Sequence, residues 1–381
     1  MVTVTAGAFD RVGTVVSFRF PGAVSPGVYR MEDENGMPIH LQADSRNTGW
    51  FILDALKAGS SRSYKLIAGP LASTVSIGGV ASSIGRKTIS FQADGHAVLS
   101  YFHGENNLPG GLDELYRRGG YIHPAYSPAG VVLTNHLDTE VHPHHYGIWS
   151  AWTSTRFQGR TPDFWNVHDH TGRVQHADSF DVSWEGPVHG GLRARNYFVD
   201  IAAQAPVVAL NEELNLTVYN KKAGGGSYHL FDLKVTHTAN TGQPLELPEY
   251  RYGGMAFRGH GNWNDPDNVS FLTSEGYDRE NGNETRARWA CMFGLVDGQH
   301  VGIAILGHPG NYRAPQPVRI HPNIPYFVFT PQQMGDMAIE PGSPYISRYR
   351  YVAFDGNPDP AELNRLWNDY AYPPGVTIVA Q

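Results

Sequence analysis

Apolar and polar residues alternate with a period of two along most of this 381-residue chain. GTVVSFRF, GVYRMED, MPIHLQAD, RSYKLIAG, KTISFQAD and AVLSYFHG are short β-branched or aromatic runs separated by Gly, Asn, Asp and Ser. The texture resumes in ADSFDVSWEGPV, RARNYFVDIAA, VVALNEELNLTVYN and YHLFDLKVTHTAN, then in RWACMFGLVDG, HVGIAILGHPG, YFVFTP and YISRYRYVAFDG. Such runs predict strands, because side chains two apart share a face of a pleated backbone. Asp94-Gly95, Asp297-Gly298 and Asp355-Gly356 each sit between apolar runs and predict two-residue hairpin turns. Helical spacing is confined to Pro358–Ala371. There Leu363, Leu366, Trp367 and Tyr370 share one face, Asp359 is placed to cap, and Pro360 opens the first turn.

Many short strands with glycine-rich turns predict an all-β protein. The segment from about residue 70 to 86, GPLASTVSIGGVASSIG, is small and polar and marks a soft boundary. The expected organisation is a smaller β-sandwich module over 1–78 and a main β-sandwich over 79–381, supersandwich or jelly-roll-like. The main domain carries the site and ends with one short C-terminal helix.

Composition narrows the possible roles. Charged residues are 17% of the chain, low for a soluble protein, which suits large buried aromatic surfaces. A net charge of −7 argues against nucleic acid and anionic membranes as partners. No apolar run approaches the length of a spanning helix. MVTVTAGAFDRV has neither a basic n-region nor an apolar h-region, so a cytoplasmic location is the expectation. The single Cys291 leaves no internal disulfide or thiolate metal cluster, and its run, RWACMFGLV, reads as a buried strand.

Candidate chemistry gathers in one stretch. Eight of the 18 histidines fall between His123 and His176, where an even spread would place two or three. The core is His136, Asp138, His142, His144 and His145, followed by Trp149, Trp152 and Trp165. Histidine changes charge near neutral pH and is the commonest metal ligand. On a strand, His142 and His144 would face one side and share a divalent cation, with His145 on the other; Pro143 limits the segment to an edge strand or a loop. The carboxylate that usually follows an HxH pair in metal-binding jelly rolls is missing. Proton-transfer or substrate-binding histidines without metal, and histidines satisfied structurally, are the alternatives. His136 and Asp138 have the spacing of a His–carboxylate pair, against a plain polar turn. His168, His170 and His176 read as surface residues of a polar loop.

PEYRYGGMAFRG places Glu249 and Arg251 on one face before a Gly-Gly turn, either as an ion pair or as an acid–base group with its partner. ENGNETRARWA adds Arg286, and GHPGNY could present His308 and Asn311. The chain has no GxSxG elbow, no GxxxxGK[ST] loop and no HExxH helix, and GGVASSIG is not a dinucleotide fingerprint.

At these residues the chain resembles a bacterial family labelled methane oxygenase PmoA-like. The resemblance lies in YIHPAYSPAGVVLT, HPHHYGIWSAW, PDFWN, YRYGGMAFRG, ETRARWA, GHPGNY and RYRYVAFDG, in order from about residue 100. It implies a β-sandwich protein found with sugar-degrading neighbours. The label itself gets no physical support, since methane monooxygenase's membrane subunit needs spanning helices. HPHHYGIW is also loosely similar to the histidine segment of galactose-mutarotase-like supersandwiches, where His and Glu transfer protons on a sugar.

The expectation is an enzyme acting on a small saccharide or glycoside, a glycoside hydrolase or a carbon–oxygen lyase. His142, His144 or His145 would act with Glu249 or Asp138 in proton transfer. Trp149, Trp152 and Trp165 would stack on the sugar. Arg251, Arg286, His123, His136, His308 and Asn311 would hold its polar groups. A metal-dependent enzyme with His142 and His144 as ligands, and a non-catalytic saccharide-binding protein, are the alternatives.

Overall fold

The structure is a computed structural model and describes residues 1–71, 78–221 and 228–379, with every side chain among them except that of Asp178. The chain is almost entirely antiparallel β, as its alternation predicts. Part of the soft boundary, residues 72–77, lies outside the described residues, and the rest runs into the strand Val80–Ile84.

Three large sheets carry the architecture. The first has seven strands in the spatial order Arg11–Arg19, Thr48–Leu56, Pro38–Ala43, Gly27–Glu32, Ser61–Leu66, Val2–Thr5 and Gly375–Ile378. Its last strand comes from the far end of the chain. Val4, Met31, Leu41, Phe51, Leu53 and Tyr64 form its core.

A nine-stranded and an eight-stranded sheet pack face to face as the main sandwich. Ile89, Leu99, Ile122, Ile148, Phe257 and Phe327 of the nine-stranded sheet meet Leu192, Leu216, Leu233, Ile303 and Tyr351 of the other. Period-two alternation then sends the neighbours of those inward residues to the outer face of the nine-stranded sheet. Tyr121, Trp149, Ala256, Tyr326 and Val328 share a second buried cluster there, and loops close over them. This outer face is where the histidine-rich segment lies.

Two of the three Asp-Gly turns are hairpins. Ala93 pairs His96 and Val296 pairs Gln299, with Asp94, Gly95, Asp297 and Gly298 all at positive φ, the geometry that matches strand twist. The Asp355-Gly356 expectation is corrected: Gly356, at φ 80°, ends the strand Tyr345–Asp355 and leads into the helix. An apolar run follows it, but as a helix face and not as a returning strand.

That helix spans Pro360–Ala371 and sets Leu363, Leu366 and Trp367 against Trp289, Leu306 and Val352. Asp369 anchors it to the first sheet, accepting from Arg11 Nη1 at 2.9 Å and Thr14 Oγ1 at 2.9 Å. The Asp359 carboxylate accepts from the Ala361 and Glu362 amides, satisfying two otherwise orphaned donors. Asp359→Ala is therefore expected to cost about 1 kcal/mol in a denaturation experiment; an unchanged midpoint would contradict the cap assignment. Among the described residues no helix is long and apolar enough to cross a membrane.

Candidate active site

The segment from His136 to Tyr146 leaves the nine-stranded sheet as a loop, held at its base by a bridge between those two residues. Leu137 and His142 both take left-handed backbone, φ 50° and 56°, which breaks strand alternation. His142–His145 is a turn, closed by the His145 amide donating to the His142 carbonyl at 3.1 Å. This corrects the strand geometry expected for the HxH pair. All three imidazoles gather on one side, with ring centroids 4.8–5.2 Å apart. Gly147, at φ 69°, lets the loop rejoin the sheet, since a Cβ there would lie 2.3 Å from the Ile122 carbonyl oxygen.

Other elements complete the cluster. His168, from a loop expected only to be surface, stands 5.2 Å from His144. His321 and Tyr326 arrive on the hairpin between the strands Pro317–Ile320 and Tyr326–Phe329. His321 lies 5.9 Å from His142 and 5.0 Å from Tyr326, and Tyr326 lies 4.7 Å from His145. The sequence gives little notice of His321 and Tyr326; the only signal is another His-Pro step, the fourth in the chain, in HPNIPY.

Behind the cluster sits Arg258, with a fully buried side chain. It donates to Asp138 Oδ2 at 2.8 Å and Asn264 Oδ1 at 2.6 Å. Asp138 Oδ2 also accepts from Asn135 and Asn264, and its Oδ1 accepts from the Glu140 and Val141 amides. This corrects the catalytic role expected of Asp138, since its lone pairs are engaged in holding the loop. Burial opposes its charge, but the Asn264 amide, the Arg258 cation and the two backbone N–H groups outweigh that and keep its pKa below the usual carboxylate value. The expected His136–Asp138 pair is also corrected, because His136 Nδ1 bonds the Tyr121 hydroxyl at 2.9 Å.

Burial is the main force on the imidazoles. It pushes His144 down to about 3 and His321 to about 4, and lowers His142 and His145; neighbouring histidines add to the effect, with Arg258 at His142, His144 and His145 and with Arg319, Arg279 and Arg251 at His321. At neutral pH His142, His144, His145 and His321 are therefore uncharged rings. His321 Nδ1 accepts from the Asn323 and Ile324 amides, which fixes its neutral tautomer with hydrogen on Nε2. His142 Nδ1 is buried without a partner, so Nε2 is its outward atom. Burial also raises the Tyr326 pKa, although Arg319 and Arg251 oppose it, so the phenol stays protonated.

Beside the cluster opens a cleft of about 580 Å³ lined by Glu249, Tyr250, Arg251, Glu284 and Arg286, among others. Arg251 acts electrostatically on both His321 and Tyr326, and Tyr250 packs on Tyr252, which packs on Trp165 against His145. Glu249 and Arg251 form no ion pair with each other or with any described residue. Arg286 braces its loop through the Ala314 and Pro315 carbonyls.

The stacking role expected of the tryptophans is corrected. Trp149, Trp152 and Trp165 are 2%, 0% and 2% exposed. Trp149 and Trp165 pack on each other beneath His145, and Trp152 lies in a separate core, donating to His237 Nδ1 at 3.3 Å. Their indole faces are spent on packing. Tyr250, half-buried and lining the cleft, is the available aromatic face, with Tyr252 packed behind it.

Other expected residues lie apart. His123 stacks on His136 at 3.9 Å and bonds Thr134, a pair pushed by burial to about 3 and about 4. His308 and Asn311 line a different cavity of about 200 Å³ with Arg288, Trp367 and Tyr372. The Asn311 amide is spent there on the Arg348 backbone. His142 and His144 are adjacent as expected for a metal pair, yet among the described residues no three or more His, Cys, Asp or Glu are arranged to hold an ion.

A pH dependence follows. Unfolded histidines titrate near 6.5, whereas His123, His136, His144 and His321 do so at about 3 or 4 when folded. Between those values the unfolded chain binds protons that the folded chain refuses. Stability is thus complete above about pH 6.5 and is lost as pH falls toward 4. The melting temperature should decline steadily across that window; a flat profile would show the rings free to titrate.

A family model described as a family of unknown function, DUF6807, matches residues 88–368. No curated protein matches the chain. Among solved structures, heparan sulfate lyase HepC from Pedobacter heparinus aligns with a TM-score of 0.35 and 9% identity over 73% of this chain and 37% of that one. The chain thus spans little more than a third of the lyase. A protein assigned as an aldose 1-epimerase, from Klebsiella pneumoniae subsp. pneumoniae MGH 78578, aligns with a TM-score of 0.31 and 11% identity, over 93% and 95% of the two chains. At these scores neither likeness carries an argument about this chain.

Proposed function

We propose, for a chain that belongs to the DUF6807 family of unknown function, that it is an acid–base enzyme acting on a saccharide bound in the cleft beside the histidine cluster. One observation carries this reading. His142, His144, His145, His168 and His321 converge with Tyr326, and a polar cleft lined by Tyr250 and Arg251 lies close enough for Arg251 to act on His321 and Tyr326.

Uncharged imidazole can accept a proton, and a protonated phenol can give one. His142 Nε2 would take the proton from a sugar carbon. As the carbon–oxygen bond at the neighbouring carbon breaks and a C=C bond forms, the Tyr326 hydroxyl would protonate the departing oxygen. The imidazolium then returns its proton to the phenolate, which balances the cycle. His144 and His145 would position His142, and Arg251 and Arg286 would hold polar groups of the sugar.

A second reading has its own support. Glu249 and Glu284 line the same cleft, and among the described residues neither is in an ion pair. Two carboxylates across a cleft are the requirement for glycoside hydrolysis. Product analysis on a saccharide panel separates the two: elimination leaves an ultraviolet-absorbing unsaturated sugar, hydrolysis a new reducing end without it. A saccharide that binds and is never turned over would favour a binding protein.

A further inference from the structure

We propose that the saccharide carries an anionic group, a carboxylate or a sulfate ester, and that Arg279, Arg319, Arg251 and His321 Nε2–H form its docking subsite. The reaction consequence rests on the acid–base reading above; the binding does not.

Placement comes from the sheet. Val318 and Ile320 point into the inter-sheet core, so Arg319 between them points to the outer face. Arg319 pairs in register with Val328, one strand over and on the same face as Tyr326, so its guanidinium acts on the Tyr326 phenol. Arg279 lies over the Phe271 ring at 4.5 Å. Both it and Arg251 act on His321, as Arg319 does.

These cations lack the matching that several buried arginines have: Arg11 pairs with Asp369, Arg258 with Asp138 and Arg350 with Asp232, while the buried Arg118 meets backbone carbonyls and the Tyr146 ring. Among the described residues none of Arg251, Arg279 and Arg319 makes an ion pair. Arg279 has Nε and Nη2 buried without any partner, and Arg319 has Nε so. Arg319 is held by Nη1, which donates to Asn283 Oδ1 at 2.9 Å, and its guanidinium also faces the Tyr326 hydroxyl. Donors left dry and unmatched are costly unless a ligand supplies acceptors. His321 adds one more donor, because its Nδ1 is already occupied. An oxyanion provides both missing things, negative charge and acceptor lone pairs, and guanidinium forks match carboxylate and sulfate geometry. For a uronate, neutralising the carboxylate acidifies the adjacent C–H, the proton that His142 would remove.

The test compares D-glucuronate, D-glucose 6-sulfate and D-glucose by calorimetry at low salt. At least one anionic sugar should bind about 10-fold or more tighter than glucose, the usual strength of a charge-assisted contact. Which one does so identifies the oxyanion. Arg319→Gln and, separately, Arg279→Gln should each erase that preference while leaving any glucose binding unchanged; melting curves check that both variants fold. Equal affinity of all three sugars for the wild type overturns the proposal. So does a preference that survives both substitutions. Anion preference without turnover of any acidic sugar would support the subsite and count against the acid–base reading. Turnover of neutral sugars without anion preference would do the reverse.

Discussion

His142→Asn should reduce turnover by about 10²-fold or more on any saccharide that the wild type consumes, the usual contribution of a positioned base. Asparagine is the informative replacement because His142 sits at φ 56°, a region that asparagine tolerates better than most residues. The backbone of the turn is therefore preserved while the imidazole is removed. Stability should barely change, since the ring is half-buried and its Nδ1 makes no hydrogen bond that the substitution could break. Substrate affinity should move less than turnover, because a base acts mainly in the transition state. Unchanged turnover in a protein with an unchanged melting temperature would move the proton transfer to another residue, with Glu249 and Glu284 the next to replace.

The largest loss of stability is expected from Arg258→Met. Methionine fills the buried volume but leaves Asp138 without its cation and Asn264 without its donor. Breaking one side of a buried ion pair typically costs about 3–5 kcal/mol. Because Asp138 ties down the loop that carries His142–His145, the same substitution should also disorder the site. Denaturant midpoints of Arg258→Met, Asp138→Asn and the double variant give the coupling. The double variant should be less destabilised than the sum of the singles. Strict additivity would mean that the two residues stabilise the fold independently.

The sheets and the helix are readable in the chain because they rest on local periodicity. Alternation predicts the strands, and Asp359-Pro360 with Leu363, Leu366 and Trp367 predicts the helix start and its buried face. Asp355-Gly356 misleads because the same dipeptide serves a hairpin or a helix lead-in, and only distant packing decides which. The histidine segment announces itself by density, yet its geometry does not. Two left-handed residues, Leu137 and His142, change which side chains face one another, and no spacing rule reveals them. Burial is likewise a long-range property, so the tryptophans look like stacking faces in the sequence and prove to be packed interior. His321, Tyr326 and Arg319 reach the site on one hairpin far along the chain, where short strands leave no chemical signature. They become visible only through the register that sets them beside the strand Gly254–Arg258.

The first sheet has a temporal consequence. Val2–Thr5 has Ser61–Leu66 on one side and Gly375–Ile378, far later in the chain, on the other. A ribosome working from the amino end therefore leaves one edge of that sheet unpaired until Gly375–Ile378 has emerged, and an open edge is a template for mispairing. Loop closure across such a span is slow by its length alone. The step that seals this edge is thus the natural place for a folding helper to matter, and for crowded expression to divert the chain into aggregates.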